Sequence, residues 1–202
     1  GIDKAAVLFD TDDYGKGLMN SFRTKAGEIG LSVVEPIDYL RERTQDFKPL
    51  VQKAKDGGAA AIFVAGLYNE AALIAKAARQ DLGLDVPILG GDGVMSPTFI
   101  SNAGASAEGA LVATPFLFNT GSDSALATTF LSTFEADYGK EPDTWAALTY
   151  DAMGMALDAI SRVGTDREKI RHAPAAARGA ATGHVGVTGV TFFDEDGAGH
   201  SK

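Results

Sequence analysis

The sequence contains no cysteine and only three histidines. The absence of cysteine excludes disulfide bonds and thiolate metal sites. His172, His184 and His200 do not have the spacing of a metal site, and no serine lies in a nucleophile elbow with a suitable acid and base. We therefore expect no enzymatic activity, no metal and no other cofactor.

Positive charge and long apolar runs are also scarce. The chain carries 18 Lys and Arg residues against 27 Asp and Glu residues, a formal net charge of -9. Without a basic cluster, this balance argues against a nucleic-acid partner. No apolar run approaches the roughly 20 residues that span a bilayer, so we expect no direct membrane insertion. The sequence begins with Gly1 and its first residues show no positively charged, apolar leader pattern, so any targeting segment is expected to be removed or to lie upstream.

The first half of the chain alternates short apolar runs with segments of helical periodicity. This alternation predicts parallel strands joined by right-handed helical crossovers. The expected strands cover residues 4–10, 31–37, 59–64, 86–89 and 109–114, and the expected helices cover 14–29, a segment capped by Thr44 and ended by Gly57, 70–80 and 97–102. The fold class is therefore α/β, with a Rossmann-like open parallel sheet that has helices on both faces.

The composition changes after Pro115, so we divide the chain into a lobe of residues 1–115 and a mainly helical segment of residues 116–202. A polar loop is expected at 119–124, and helices at 125–138 and 144–163. The capping-box pair Thr165 and Glu168 predicts the start of a third helix. The long helix carries apolar side chains at helical spacing, which we interpret as core: Trp145, Tyr150, Met153, Leu157 and Ile160.

The last part of the chain contains a loop at 173–186, rich in alanine and glycine, and an alternating segment at 187–194. The alternation predicts one arm of a hairpin whose partner arm is absent from the chain. Because these elements lack a sheet to cover, residues 116–202 are expected to pack against a missing part of the protein.

Three loops follow predicted strands at residues 10–17, 65–70 and 90–93. Ligands of open α/β sheets bind at the carboxyl ends of the strands, so these loops locate the candidate site. They predict recognition of a small polar molecule rather than its turnover. The acidic residues Asp10, Asp12 and Asp13 leave open a weaker alternative, a magnesium-dependent hydrolase, although helix capping also accounts for Asp12 and Asp13.

Several blocks of the sequence occur in the order found in a known family. They are KAAVLFDTDDYGKGLMNSF, TQDFKPLVQKAK, AIFVAGLYNEAALIAKAARQDLG, PILGGDGV, AGASAEGALVATPF, YGKEPDTWAALTYDAMGMALDAI and GVTGVTFFDEDG. Over nearly the whole chain, the sequence resembles the branched-chain amino-acid (leucine-binding type) substrate-binding proteins of ABC transporters, which have the type I periplasmic binding protein fold. The resemblance implies two lobes that close over a ligand. It identifies this chain as the second lobe plus the helical return to the first, with Pro115 at a hinge crossing.

The resemblance also implies ligand-binding residues. Tyr14 in DDYGKG matches a tyrosine that contacts the bound amino acid, and Asp92 in GGDGV matches the acidic residue that pairs with its ammonium group. Leu67 in AGLYNE stands where relatives commonly have a tyrosine, so the contacts of this loop differ from the family pattern.

The function implied is capture of a free amino acid, branched-chain or otherwise aliphatic, in the periplasm or at the outer cell surface. The ligand would then pass to an ABC transporter permease. The alternative is a sensor of the same fold that responds to an amide, a urea or an aromatic acid. As an isolated fragment, the chain is expected to bind amino acids poorly and to dimerise or exchange elements between copies.

Overall fold

The structure, a computed structural model, describes residues 1–118 and 124–201. The chain forms two compact units, Gly1–Thr114 and Pro115–Lys202. Most of the polar loop predicted at 119–124 lies outside the described residues. No helix within the described ranges is long and apolar enough to cross a membrane.

The first unit contains a six-stranded sheet in which every strand pair is parallel. Its strands are β1 Lys4–Asp10, β2 Ser32–Val33, β3 Ile37–Tyr39, β4 Ile62–Ala65, β5 Ile88–Gly90 and β6 Leu111–Val112. The order along the sheet is β2-β1-β4-β5-β6, and β3 also pairs with β1. Non-consecutive neighbours in this order are the crossovers expected of a doubly wound sheet.

Helices cover both faces of this sheet. They are α1 Asp13–Glu28, α2 Lys48–Asp56, α3 Tyr68–Lys76 and α4 Pro97–Ala103. Met19 of α1 packs with Val7 and Ala65 in one apolar cluster, whereas α2, α3 and α4 contribute to a second cluster built on Leu8 and Ile62. The predicted α/β fold class is thereby confirmed.

The strand predicted at 31–37 is divided into β2 and β3. Ala5 pairs with Val33 and Leu8 with Ile37. The β1 strand therefore advances three residues while its partner advances four. Pro36 lies in this interruption, and it has no amide hydrogen to donate to the sheet. One extra residue therefore bulges out of the pairing.

Two helices of the first unit differ from the prediction by more than one residue. Thr44 does not cap α2; its hydroxyl accepts a hydrogen bond from the Leu40 amide at 3.0 Å, and α2 begins at Lys48. The helix expected at 70–80 begins earlier, at Tyr68, and changes to a single π-helical segment at Ala77–Asp81.

The described residues of the second unit form three helices and a small antiparallel sheet. The helices are α5 Ala125–Tyr138, α6 Thr144–Val163 and α7 Arg167–Ala175, and the strands are β7 His184–Gly186, β8 Gly189–Phe193 and β9 Gly199–Ser201. The bounds of α5 and α6 agree with the prediction because both helices have side-chain N-caps, Ser124 and Asp143, and a following glycine. The cap of α7 is Asp166 rather than Thr165, and it accepts a hydrogen bond from the Lys169 amide at 3.0 Å.

The expectation that the terminal hairpin arm lacks its partner was wrong. β8 pairs with β7 on one side and with β9 on the other. Part of the predicted loop at 173–186 therefore forms the end of α7 and strand β7. β7 and β9 have three residues each, one of them glycine, so they show little of the alternation that identifies a strand in a sequence.

The apolar stripe of α6 is not a core within its own unit, contrary to the prediction. Tyr150, Met153 and Leu157 are 57–59% exposed. Trp145 and Ile160 are exposed as well. The buried face instead carries small or polar side chains, among them Ala147, Asp151 and Ala159. Ala147 packs with Ala127 and Val187 in the small core of this unit.

Candidate ligand-binding site

The turn between β1 and α1 brings Tyr14 to the carboxyl edge of the sheet. Asp12 caps α1, accepting a hydrogen bond from the Gly15 amide at 2.7 Å. Gly15 lies directly on the strand ends, since a Cβ added there would be 2.3 Å from the Asp10 carbonyl oxygen and 2.9 Å from that of Ala65. Glycine therefore lets the first turn of α1, including Tyr14, rest against β1 and β4.

Tyr14 and Asp92 are in direct contact, although 78 residues separate them. The Tyr14 hydroxyl donates a hydrogen bond to Asp92 Oδ1 at 2.6 Å. The Gly93 amide donates to the same carboxylate oxygen at 3.0 Å and to the Tyr14 hydroxyl at 3.2 Å. The three groups form a small polar triangle just after β5.

The Leu67 side chain reaches the same glycine from another loop. Leu67 immediately precedes α3. A Cβ added to Gly93 would lie 2.9 Å from both Leu67 Cδ2 and the Tyr14 hydroxyl, and 2.8 Å from the Gly66 carbonyl oxygen. Thus Tyr14, Leu67 and Asp92 converge around Gly93, while their contacts with a ligand stay a prediction.

The environment of Tyr14 favours the neutral form of its phenol. Burial, followed by the hydrogen bond to Asp92, raises the pKa of Tyr14 from its ordinary value of 10.0 to about 12. A neutral phenol donates one proton and accepts another, which matches its bonds to Asp92 and Gly93.

Arg41 was missed by the sequence reasoning. Its Nε donates to Asp10 Oδ2 at 2.6 Å, and its Nη2 contacts Asp12 Oδ2. Although burial disfavours its charge, the ion pairs raise the pKa of the Arg41 guanidinium above its ordinary value. Arg41 lies in a loop without periodicity, and 31 residues separate it from Asp10. No local pattern therefore indicated the pairing.

This ion pair changes the interpretation of the acidic residues. Asp10 and Asp12 are paired with a guanidinium, and Asp12 is also a helix cap. Within the described ranges, no group of three or more His, Asp or Glu side chains is arranged to hold a metal ion. The observed role of this cluster is to join the end of β1 to the start of α1.

Tyr39 lies beneath the loop that carries Leu67. Its ring is 2% exposed, and its hydroxyl is a buried group without a hydrogen-bond partner among the described residues. A Cβ added to Gly66 would lie 1.8 Å from that hydroxyl. Burial raises the pKa of Tyr39 well above its ordinary value, and the nearby carboxylates of Glu70 and Asp10 add to the effect. Gly66 therefore allows the loop to sit directly on Tyr39.

The family described as "Periplasmic binding protein" matches residues 1–202, the full sequence. The chain belongs to this family of periplasmic binding proteins. The family and the relatives below are named as binding proteins rather than enzymes, and the resemblance carried by the sequence blocks is confirmed.

Two solved structures share the architecture of this periplasmic binding protein. The leucine-binding protein LivK from Thermotoga maritima has a TM-score of 0.86 and 35% identity, covering 98% of this chain and 55% of that one. The branched-chain amino acid transporter substrate-binding protein LivJ from Streptococcus pneumoniae, solved in complex with isoleucine, has a TM-score of 0.77 and 33% identity. That match covers 96% of this chain and 53% of LivJ.

A curated relative matches a similar share of this chain and of its own length. The leucine-, isoleucine-, valine-, threonine- and alanine-binding protein of Pseudomonas aeruginosa is 27% identical over 194 residues, which are 95% of this chain and 49% of the relative. The chain thus spans about half the length of this relative and of the two solved structures.

Proposed function

We propose that this chain is part of the solute-binding component of an amino-acid ABC transporter, and that it holds the ammonium end of an aliphatic amino acid. The observation that carries the proposal is the Tyr14–Asp92 pair at the carboxyl edge of the sheet. Membership of the periplasmic binding protein family and the names of the similar proteins support it.

Asp92 has the chemistry that an ammonium group requires. Its Oδ1 receives hydrogen bonds from Tyr14 and Gly93, and the contacts among the described residues leave Oδ2 open. A partly buried carboxylate with one oxygen free forms a short, charge-assisted hydrogen bond with an ammonium donor. The two donors on Oδ1 hold the carboxylate in one orientation, so less conformational entropy is lost when the ligand binds.

Leu67 and Leu18 provide apolar surface beside these polar groups. Leu67 Cδ2 approaches Gly93, and Leu18 Cδ2 would lie 2.9 Å from a Cβ on Gly91. An aliphatic side chain is the ligand surface that such methyl groups complement. Leucine, isoleucine and valine are therefore the first ligands to test.

We also infer that residues 116–202 pack, in the complete protein, against a lobe outside these 202 residues. The exposed apolar face of α6, with Tyr150, Met153 and Leu157, supports this inference because large exposed apolar patches usually mark contact surfaces. The second lobe would supply donors for the ligand carboxylate, and closure would be a shift in population towards the liganded form. Delivery to a permease, and a periplasmic or extracellular location, follow from the same proposal.

The test is calorimetric titration of the complete protein with leucine, isoleucine and valine. Replacing Asp92 with alanine is expected to weaken binding by about 100-fold or more, because a buried ammonium loses its counter-charge, a loss of about 3 kcal/mol. Asp13→Asn is the matched control: it removes one exposed negative charge near the same edge and should leave affinity within about twofold.

Three outcomes would contradict the proposal. Unchanged affinity in Asp92→Ala would remove Asp92 from the site. Equal binding of leucine and its deaminated analogue would show that the ammonium group is not recognised. A response limited to amides or aromatic acids would replace the amino-acid function with the alternative sensing function.

A further inference from the structure

Arg41 links two elements that meet at the candidate site. Its guanidinium bonds to Asp10, the last residue of β1, and to Asp12, the residue that caps α1. Arg41 itself follows β3, whose last residue Tyr39 pairs with Asp10 across the sheet. One side chain therefore ties together the ends of β1 and β3 and the start of α1.

The charge of Arg41 matters because Asp10 is almost fully buried. The Asp10 side chain is 4% exposed, compared with 38% for Asp12 and 34% for Arg41. A carboxylate at this depth without a cation loses its hydration and has little to replace it. Among the described residues, the other hydrogen-bond donor to the Asp10 carboxylate is the Asp12 amide, at 3.4 Å. Loss of Arg41 therefore favours an opening of the turn that lets water reach Asp10.

Any opening of this turn would move Tyr14. Asp12 sits two residues before Tyr14, and its Oδ1 fixes the first turn of α1 through the Gly15 amide. The Tyr14 hydroxyl must then meet Asp92 at 2.6 Å, a distance that tolerates little displacement. The connection from Arg41 to the candidate site thus runs through Asp12 and the helix start.

We propose that Arg41 is a positioning residue of the ligand site: by bridging Asp10 and Asp12 it holds the start of α1 so that Tyr14 orients Asp92. This inference rests on the proposed function and adds a residue outside the set implied by the family resemblance. Arg41 does not have to touch the ligand for this role.

The first test is a double-mutant cycle on leucine affinity in the complete protein. Arg41→Met is expected to weaken binding about tenfold in the native background, but less than about twofold when Tyr14 is already Phe, because its effect passes through the Tyr14 hydroxyl. Arg41→Lys keeps a cation beside Asp10 and should recover most of the loss. An equal loss in both backgrounds, or no loss in either, overturns the proposal.

Arg79→Met is the matched control for general stability. Arg79 is another half-buried arginine of the same unit, and its Nη1 donates to the carbonyl oxygens of Ser106 and Glu108 in a different loop. It should leave leucine affinity within about twofold, because that loop contributes no residue to the candidate site. If Arg79→Met weakens binding as much as Arg41→Met, the effect of Arg41 is general destabilisation and the proposal fails.

A milder variant covers the case in which Arg41→Met does not fold. Asp12→Asn keeps an oxygen that caps α1 but removes the charge that pairs with Arg41. It is expected to weaken binding about threefold in the native background and not in Tyr14→Phe, as the same coupling predicts. Additive losses in this cycle would also overturn the proposal.

A second test needs no ligand. In protein labelled with fluorotyrosine, the Tyr14 fluorine signal, assigned with Tyr14→Phe, should shift or broaden in Arg41→Met and not in Arg79→Met. An unchanged signal in Arg41→Met refutes the positioning role. If the native protein binds no amino acid, the proposed function fails, and this signal alone then decides whether Arg41 positions Tyr14.

Discussion

Replacing Asp151 with alanine should cause one of the largest losses of stability available to a single substitution in the second unit. Asp151 lies on α6, is 3% exposed, and accepts hydrogen bonds from the Val187 amide at 2.7 Å, the Thr188 amide at 2.8 Å and the Thr188 hydroxyl at 2.7 Å. These three donors belong to the turn that joins β7 to β8. The carboxylate therefore fastens the terminal sheet to the long helix.

The magnitude follows from the number and type of these bonds. A hydrogen bond to a charged group contributes about 1.5–3 kcal/mol, and a buried donor without a partner costs about 1–3 kcal/mol. The three contributions are not additive because they share one carboxylate and water enters the space that it leaves. We expect Asp151→Ala to lower the free energy of unfolding by about 3–4 kcal/mol and Asp151→Asn, which keeps one acceptor oxygen, by about 2–3 kcal/mol.

Urea denaturation of the protein at neutral pH measures the total decrease in the free energy of unfolding. Amide hydrogen exchange at Val187 and Thr188 shows whether the decrease arises at the turn between β7 and β8. Asp158→Asn is the matched control on the same helix, because Asp158 is exposed and pairs with Arg162 four residues away. That substitution should cost less than about 0.5 kcal/mol. A loss below about 1 kcal/mol in Asp151→Ala, with unchanged exchange at both amides, would refute the reasoning.

Two further predictions concern the start of α1. Gly15→Ala places a Cβ 2.3 Å from the Asp10 carbonyl oxygen and should destabilise the fold by about 2–4 kcal/mol, because backbone must move. Gly17→Ala, on the same helix with nothing within 4 Å of the added Cβ, should instead stabilise by up to about 1 kcal/mol; equal urea midpoints for the two variants would contradict this contrast. The pKa of Tyr14 is raised from 10.0 to about 12 in the folded state. The neutral Tyr14 phenol therefore contributes its full stabilisation of the fold below pH 10.0, and this stabilisation is lost as the pH rises towards about 12. Asp92→Asn should lower that pKa part of the way towards 10.0, as measured by ultraviolet titration against Tyr14→Phe, and an unchanged value would show that Asp92 has no part in the shift.

The alternation of strands and helices was predictable because its signals are local. A buried parallel strand such as β4 is a short apolar run, and α5 and α6 are bounded by capping side chains and following glycines. Each of these signals lies within a few residues of the element that it defines. Family membership was also predictable, since ordered blocks of sequence carry it.

Boundaries that depend on contacts outside the element itself were less predictable. Thr44 looked like a helix cap, but its hydroxyl binds the Leu40 amide. The strand expected at 31–37 is interrupted because its register is set by β1. The terminal strands are stabilised by pairing with each other and by Asp151, a helical residue 36 positions before Val187.

The sequence by itself determined the α/β class, the bounds of α5 and α6 and the family, because local periodicity, capping and ordered sequence blocks suffice for these properties. Only the tertiary structure decided that Tyr14 contacts Asp92, that Arg41 pairs with Asp10 and Asp12, and that the apolar stripe of α6 is exposed within its own unit. Those properties depend on which residues approach one another through space. That proximity is set by the packing of strands and helices, and no spacing along the chain encodes it.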